Sequence, residues 1–149
     1  MTIKMSLSIL TIGDPHFKNN NVKETTEMID ELNQVLNTHK FDIIICLGDL
    51  LDRHDKIDMF PLIRVVEFIK NLSYKLPVYA IIGNHDRSNN TNFLTREHPF
   101  TALSGHKDIF IIDTVELVEV GGFKLVFVPY VPPGRFMDAI NTNKNINLS

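Results

Sequence analysis

The stretch FDIIICLGDLLDR, residues 41–53, decides the fold. Phe41 to Leu47 is almost entirely apolar and stops at Gly48-Asp49. A short apolar run closed by turn-forming residues suits a strand buried on both faces of a parallel sheet. Such a strand carries a carboxylate, Asp49, at its carboxyl end.

The same reading extends outward in both directions. Upstream, Ser6 to Ile12 is mostly apolar and stops at Gly13; downstream, Pro77 to Ile82 stops at Gly83. Between the first two runs, Met28, Ile29, Leu32, Val35 and Leu36 recur at helical spacing among charged residues, so Val22 to His39 is expected to be an amphipathic helix. Ile57 to Leu72 reads as a second helix, with Asp58 at the N-cap, Pro61 in the first turn and Asp55 serving helix initiation. Strands alternating with helices imply an α/β fold of parallel βαβ units, with helices on the sheet faces.

The character changes after Asn84. Residues 87–96 are polar and Asn-rich, whereas Ile109 to Ile112 and Val115 to Val128 read as antiparallel strands, with Gly121-Gly122 a two-residue hairpin signal. The tail from Asn141 to Ser149 has few apolar residues and reads as a disordered terminus or the cut end of a longer protein. With no internal repeat, heptad or interior linker, residues 1–149 are expected to form a single domain.

Composition narrows the class further. Hydrophobic residues at 44% and charged ones at 22% exclude a disordered or fibrous chain. A net charge of -3 with a pI near 6.0 and scattered Lys and Arg neither supports nor excludes a nucleic-acid partner. A single cysteine, Cys46, cannot form an internal disulfide, and the start MTIKMSLSIL lacks the apolar segment and cleavage site of a secretory signal, with Met1 and Met5 both possible starts. No apolar run approaches the roughly 18 residues that cross a bilayer. An intracellular, soluble protein without a membrane partner is expected.

Strand ends in a parallel α/β sheet lie side by side, and ligands bind outside them. Asp14 and His16 follow the first strand, Asp49 the second, and Asn84 and His85 the third. Carboxylate, imidazole and amide oxygen together suit Mn, Fe, Zn or Ni better than Mg or Ca. Asp49, on the middle strand, is placed to bridge two ions, and a pair roughly 3.5–4 Å apart clamps both oxygens of an in-line displacement. The expected cofactors are two divalent transition-metal ions, Mn first, and the expected reaction is phosphoester hydrolysis by a metal-activated water. Gly, Asp and Asn also build plain turns at strand ends, which accounts for any one motif alone but poorly for three in order. His39, His54, His98 and His106 have no matching partner motif. Cys46, within an apolar run, is separated from Arg53 by six residues where a cysteine phosphatase has five, and His16 stands where an aspartyl-phosphate hydrolase needs a second Asp.

Asp14-x-His16, Gly48-Asp49-x-x-Asp52-Arg53 and Gly83-Asn84-His85-Asp86, in that order, resemble the calcineurin-like metallophosphoesterase superfamily. Leu51-Asp52-Arg53, the Gly83 to Asp86 quartet and Phe127-Val128-Pro129-Tyr130 are similar to its nuclease branch, which contains Mre11 and SbcD. The resemblance spans Leu7 to Tyr130 and implies half of a four-layer α/β/β/α sandwich. It implies that Asp14 and His16 bind the first metal, Asp49 bridges both and Asn84 binds the second. It further implies that His85 acts on the phosphate or leaving group, that Asp86 orients the His85 ring, and that Arg53 approaches the phosphate. The family completes its site with a later His and a Gly-His-x-His motif. Neither follows Tyr130, and Ser104-Gly105-His106-Lys107 has Asp108 where the second His belongs, so the chain reads as C-terminally truncated, with Gly105 ending a short helix. The resemblance implies a phosphodiesterase or DNA exonuclease acting on a phosphoester substrate, nucleic acid included. A small-molecule phosphomonoesterase and a non-catalytic scaffold are the alternatives. Oligomeric state is not legible.

Overall fold

The computed structural model describes residues 6–53 and 56–147, so His54, Asp55 and the alternative starts lie outside the described residues. Four strands, β1 (Ile9–Ile12), β2 (Ile43–Cys46), β3 (Val78–Ile81) and β4 (Ile109–Ile112), form one sheet in the order β1-β2-β3-β4, every pair parallel. Helix α1 (Val22–Thr38) joins β1 to β2, and α2 (Met59–Ser73) joins β2 to β3. A 3-10 helix, Pro99–Leu103, precedes β4, and Gly105 follows it at φ 87°.

Right-handed crossovers between strands that advance in one direction all fall on the same side of the sheet. Accordingly, Ile29 and Leu32 of α1, Val65, Phe68 and Ile69 of α2, and Phe100 of the 3-10 helix pack together with Ile44, Cys46, Val78 and Ala80. The alternate strand residues Ile43, Ile45, Tyr79 and Ile112 point the other way, as strand pleating requires. They meet a second sheet made of β5 (Glu116–Val120) and β6 (Phe123–Phe127), paired antiparallel and contributing Val118, Val120, Leu125 and Phe127. The α/β reading holds in the layer order helix, sheet, hairpin. The helices cover one face of the sheet and the hairpin the other. Tyr79 stacks on Phe110 at 4.7 Å and on Phe127 at 4.9 Å, joining the two sheets through a ladder of three rings.

The hairpin turn is the one expected. Gly121 at φ 59° and Gly122 at φ 91° take the positive values that a type I′ turn needs at both central positions. The strand at Ile109 to Ile112 is a correction, since it pairs parallel to β3 and extends the main sheet. The chain between β3 and β4 is long enough for a crossover, but its Asn-rich sequence has no helical periodicity to announce one. After the hairpin, α3 (Phe136–Ile140) packs Ala139 and Ile140 on Val115, and the described part of the tail is tied to it: Ile146 lies beside them and Asn143 Nδ2 donates to the Val115 carbonyl at 2.9 Å. Asp58 does occupy the N-cap of α2, yet its carboxylate makes no cap hydrogen bond and accepts from Asn19 Nδ2 at 2.8 Å instead. Among the described residues no helix is long and apolar enough to cross a membrane.

Candidate active site

Because all four strands run the same way, the loops after β1, β2 and β3 open at one edge. The first two are laced by main chain: His16 N–H donates to the Asp49 carbonyl at 3.1 Å, and Phe17 N–H to the Leu50 carbonyl at 2.8 Å. The second and third are laced by side chains. Asp49 Oδ1 accepts the His85 main-chain N–H at 3.0 Å. Asp86 Oδ1 accepts the Leu51 N–H at 2.9 Å, and its Oδ2 accepts the Gly83 N–H at 3.0 Å.

Close approach makes this lacing possible. A Cβ on Gly83 would stand 2.9 Å from Asp49 Cγ and nearer still to its Oδ1 and N, and a Cβ on Gly48 would stand 2.9 Å from Gly83 Cα. Only glycine at both places lets the backbones pass. Asp14, His16 and Asp49 themselves have positive φ, at 21°, 45° and 49°. Such conformations are uncommon in residues other than glycine and cluster where function holds a strained backbone in place.

The structure brings four of the expected residues together. The Asn84 carboxamide faces Asp49 Oδ1 and Oδ2 at 3.1 and 3.2 Å, with its amino end donating to them. The His16 and His85 rings meet edge to face, centroids 5.2 Å apart. His85 Nδ1 lies 2.6 Å from the Asp52 carbonyl oxygen. A carbonyl only accepts, so Nδ1 carries the proton and Nε2 is the ring's accepting nitrogen in that tautomer.

This last contact corrects the role expected of Asp86. Its two oxygens are taken by the Leu51 and Gly83 main-chain donors, and the His85 ring is oriented by the main chain of Asp52. Asp86 is 1% exposed. Burial pushes its carboxyl up to about 6; the Leu51, Gly83 and Leu50 amides pull against that shift, and the Asp49 charge adds to it.

Asp14 is exposed on the β1 loop, and among the described residues no hydrogen bond or ion pair links it to His16, Asp49, Asn84 or His85. Among the described residues no three His, Cys, Asp or Glu side chains stand close enough, as placed, to hold an ion. The donor chemistry nevertheless fits a divalent transition metal. His16 Nδ1 is buried without a hydrogen-bond partner, with Asp52 Oδ1 3.6 Å away, beyond hydrogen-bond reach. An imidazole nitrogen left in that condition beside a carboxylate suits an ion. Arg53 is exposed at the rim of a small recess that Lys18, Asp52 and Lys56 also line, with Lys18 Nζ 3.5 Å from Asp52 Oδ1.

Sequence reasoning missed a second buried polar group. Arg87, directly after Asp86, is 2% exposed and donates to the Thr95 carbonyl at 2.9 Å and to the Asp113 carbonyl at 3.3 Å. His98 Nε2 lies 3.0 Å from Asp113 Oδ2. These contacts fasten the polar loop after Asp86 to the end of β4. No local pattern reveals them, because they depend on β4 joining the main sheet. Cys46 is fully buried, and burial foremost, with the Asp86 charge, pushes its thiol up to about 12. It is no nucleophile.

A family model described as calcineurin-like phosphoesterase matches residues 7–147. The provisionally named phosphoesterase 078R of Invertebrate iridescent virus 3 is 40% identical over 136 residues, which make 91% of this chain and 39% of that relative. Another so named, 244L of Invertebrate iridescent virus 6, is 41% identical over 140 residues, 92% of this chain and 48% of its own length. The chain therefore spans less than half the length of these curated relatives. Among solved structures, the crystal structure of Pseudomonas putida nuclease MPE is similar at 26% identity and a TM-score of 0.49, covering 74% of this chain and 50% of that one.

Proposed function

Starting from a chain that belongs to the calcineurin-like phosphoesterase family, we propose that it carries the metal-holding loops of a hydrolase that cleaves phosphodiesters, nucleic acid among them, with two divalent transition metals, Mn first. The observation that carries the reading is the meeting of Asp49, Asn84, His16 and His85 at one sheet edge, with a buried His16 nitrogen left without a partner. Asp14 and His16 would hold the first ion, Asp49 would be shared, and Asn84 would hold the second with its carboxamide turned to present oxygen. Ions held there supply Lewis-acid polarisation of phosphoryl oxygen and lower the pKa of water toward neutrality.

The chain's own groups do the rest. His85, with Nδ1 fixed on the Asp52 carbonyl, presents Nε2 for proton transfer to the leaving group. Arg53 offers a planar guanidinium to the phosphate. The phosphodiester preference draws on the sequence context around Leu51, the Gly83 to Asp86 quartet and Phe127 to Tyr130.

The test pairs elemental analysis with substrates. The protein loaded with Mn2+ is offered DNA, bis(p-nitrophenyl) phosphate and a phosphomonoester. Asp49→Asn, which removes the shared anionic ligand, should lose ion occupancy and cleavage together. Full occupancy in that variant refutes the bridging role, and cleavage confined to the monoester refutes the diester assignment.

A further inference from the structure

The loops after β2 and β3 exchange carboxylates. Asp49 of the β2 loop receives a main-chain donor of the β3 loop, His85 N–H, and Asp86 of the β3 loop receives a main-chain donor of the β2 loop, Leu51 N–H. The two partners are not equivalent. Asp49 is half-buried and faces Asn84, whereas Asp86 is buried and spends its second oxygen on Gly83 N–H, in its own loop. A carboxylate with each oxygen on a different loop sets the distance between them as a strut does. Its charge is costly to bury, and only acceptors on both ends can satisfy both donors.

We infer that Asp86 is a positioning residue that fixes the gap between Asp49 and Asn84, and so the affinity of the ion they share, without acting through the His85 ring. This rests on the proposed reading of Asp49 and Asn84 as ion ligands. An Asn at this position has the shape of Asp but turns an amino group toward either Leu51 N–H or Gly83 N–H, donor against donor, so one end of the strut is released while the packing stays.

The experiment measures the Mn2+ dissociation constant by isothermal titration calorimetry in wild type and Asp86→Asn, at a temperature where circular dichroism shows both folded. Groups that hold metal ligands in place typically contribute 10–100-fold to affinity, and Asp86→Asn is expected to weaken Mn2+ binding by about that factor. A residue that only stabilised the fold would lower the melting temperature and leave the dissociation constant of the folded protein unchanged. A residue that only oriented His85 would also leave it unchanged. Wild type that binds Mn2+ beside a variant that binds equally well overturns the inference alone, and wild type that binds no Mn2+ overturns the functional reading and the inference with it. Should Asp86→Asn not fold, the wild-type 15N spectrum decides. Leu51 and Gly83 amide protons donating to a carboxylate are expected downfield and protected from exchange, and ordinary shifts with rapid exchange in the folded protein overturn the strut.

Discussion

Gly83→Ala tests the closeness of the loops with little else disturbed. Gly83 is not among the residues with positive φ, so its backbone accepts an L side chain and the effect is steric. The added Cβ falls 2.9 Å from Asp49 Cγ, while ordinary contact starts at 3.4 Å. The β2 loop cannot simply yield, because the Asp49 carbonyl is tied to His16 N–H and its Oδ1 to His85 N–H. Overpacking of this kind costs about 1–3 kcal/mol. At about 2–4 °C per kcal/mol for a chain of this size, the melting temperature should fall by about 2–12 °C. Displacing the Asp49 carboxylate should also weaken Mn2+ binding, whereas a remote packing defect would not. Thermal melts followed by Mn2+ titration of the folded variant measure both. A melting temperature and an affinity indistinguishable from wild type would refute the argument, since the loops would then have room that the geometry denies them.

Other expectations are simpler to state. His85→Asn should lower turnover of bis(p-nitrophenyl) phosphate by about 10²–10⁴-fold while metal content stays at the wild-type level, because the tie to Asp49 comes from the main chain of residue 85; loss of metal would place the ring among the ligands. His98 has a wholly buried side chain, and burial lowers its pKa below 6.5 against the opposing pull of Asp113, with Arg87 and Arg96 lowering it further. The unfolded chain then binds more protons than the folded one as pH drops below 6.5, so stability held above that pH is lost on acidification. Urea midpoints from pH 7.5 down to 5 in wild type and His98→Gln check this, and an unchanged slope in the variant would exclude His98. The Cys46 thiol should resist alkylation in the native protein and react on unfolding; rapid native labelling would contradict its burial.

Asp49 and Asn84 were legible because a polar residue closing an apolar run can only sit at a strand end, and parallel strands bring their ends together. The role of Asp86 was not. Sequence places it next to His85, but successive residues on a turn point in different directions, and its partners are main-chain N–H groups that leave no mark on side-chain identity. The Asp52 carbonyl that orients His85 is invisible for the same reason. The direction of β4 was lost because a crossover without helical periodicity looks like a loop between antiparallel strands. Helix α3 was not legible because it buries only two of its five residues, too few for periodicity to show.

The stack of Phe110, Tyr79 and Phe127 gives the molecule an optical probe of its own. The chain has no tryptophan and three tyrosines, so its near-ultraviolet spectrum is uncrowded. Tyr79 touches a ring in the main sheet and a ring in the hairpin, with interplanar angles of 15° and 7°. Parallel rings at such distances couple their electronic transitions, and coupled transitions in a fixed chiral frame give circular dichroism that free tyrosine lacks. That band belongs to the seam between the two sheets, not to either one. If heating erases it while the far-ultraviolet helix signal persists, the hairpin has lifted off a still-folded α/β layer, and the molecule comes apart along its seam before it unravels.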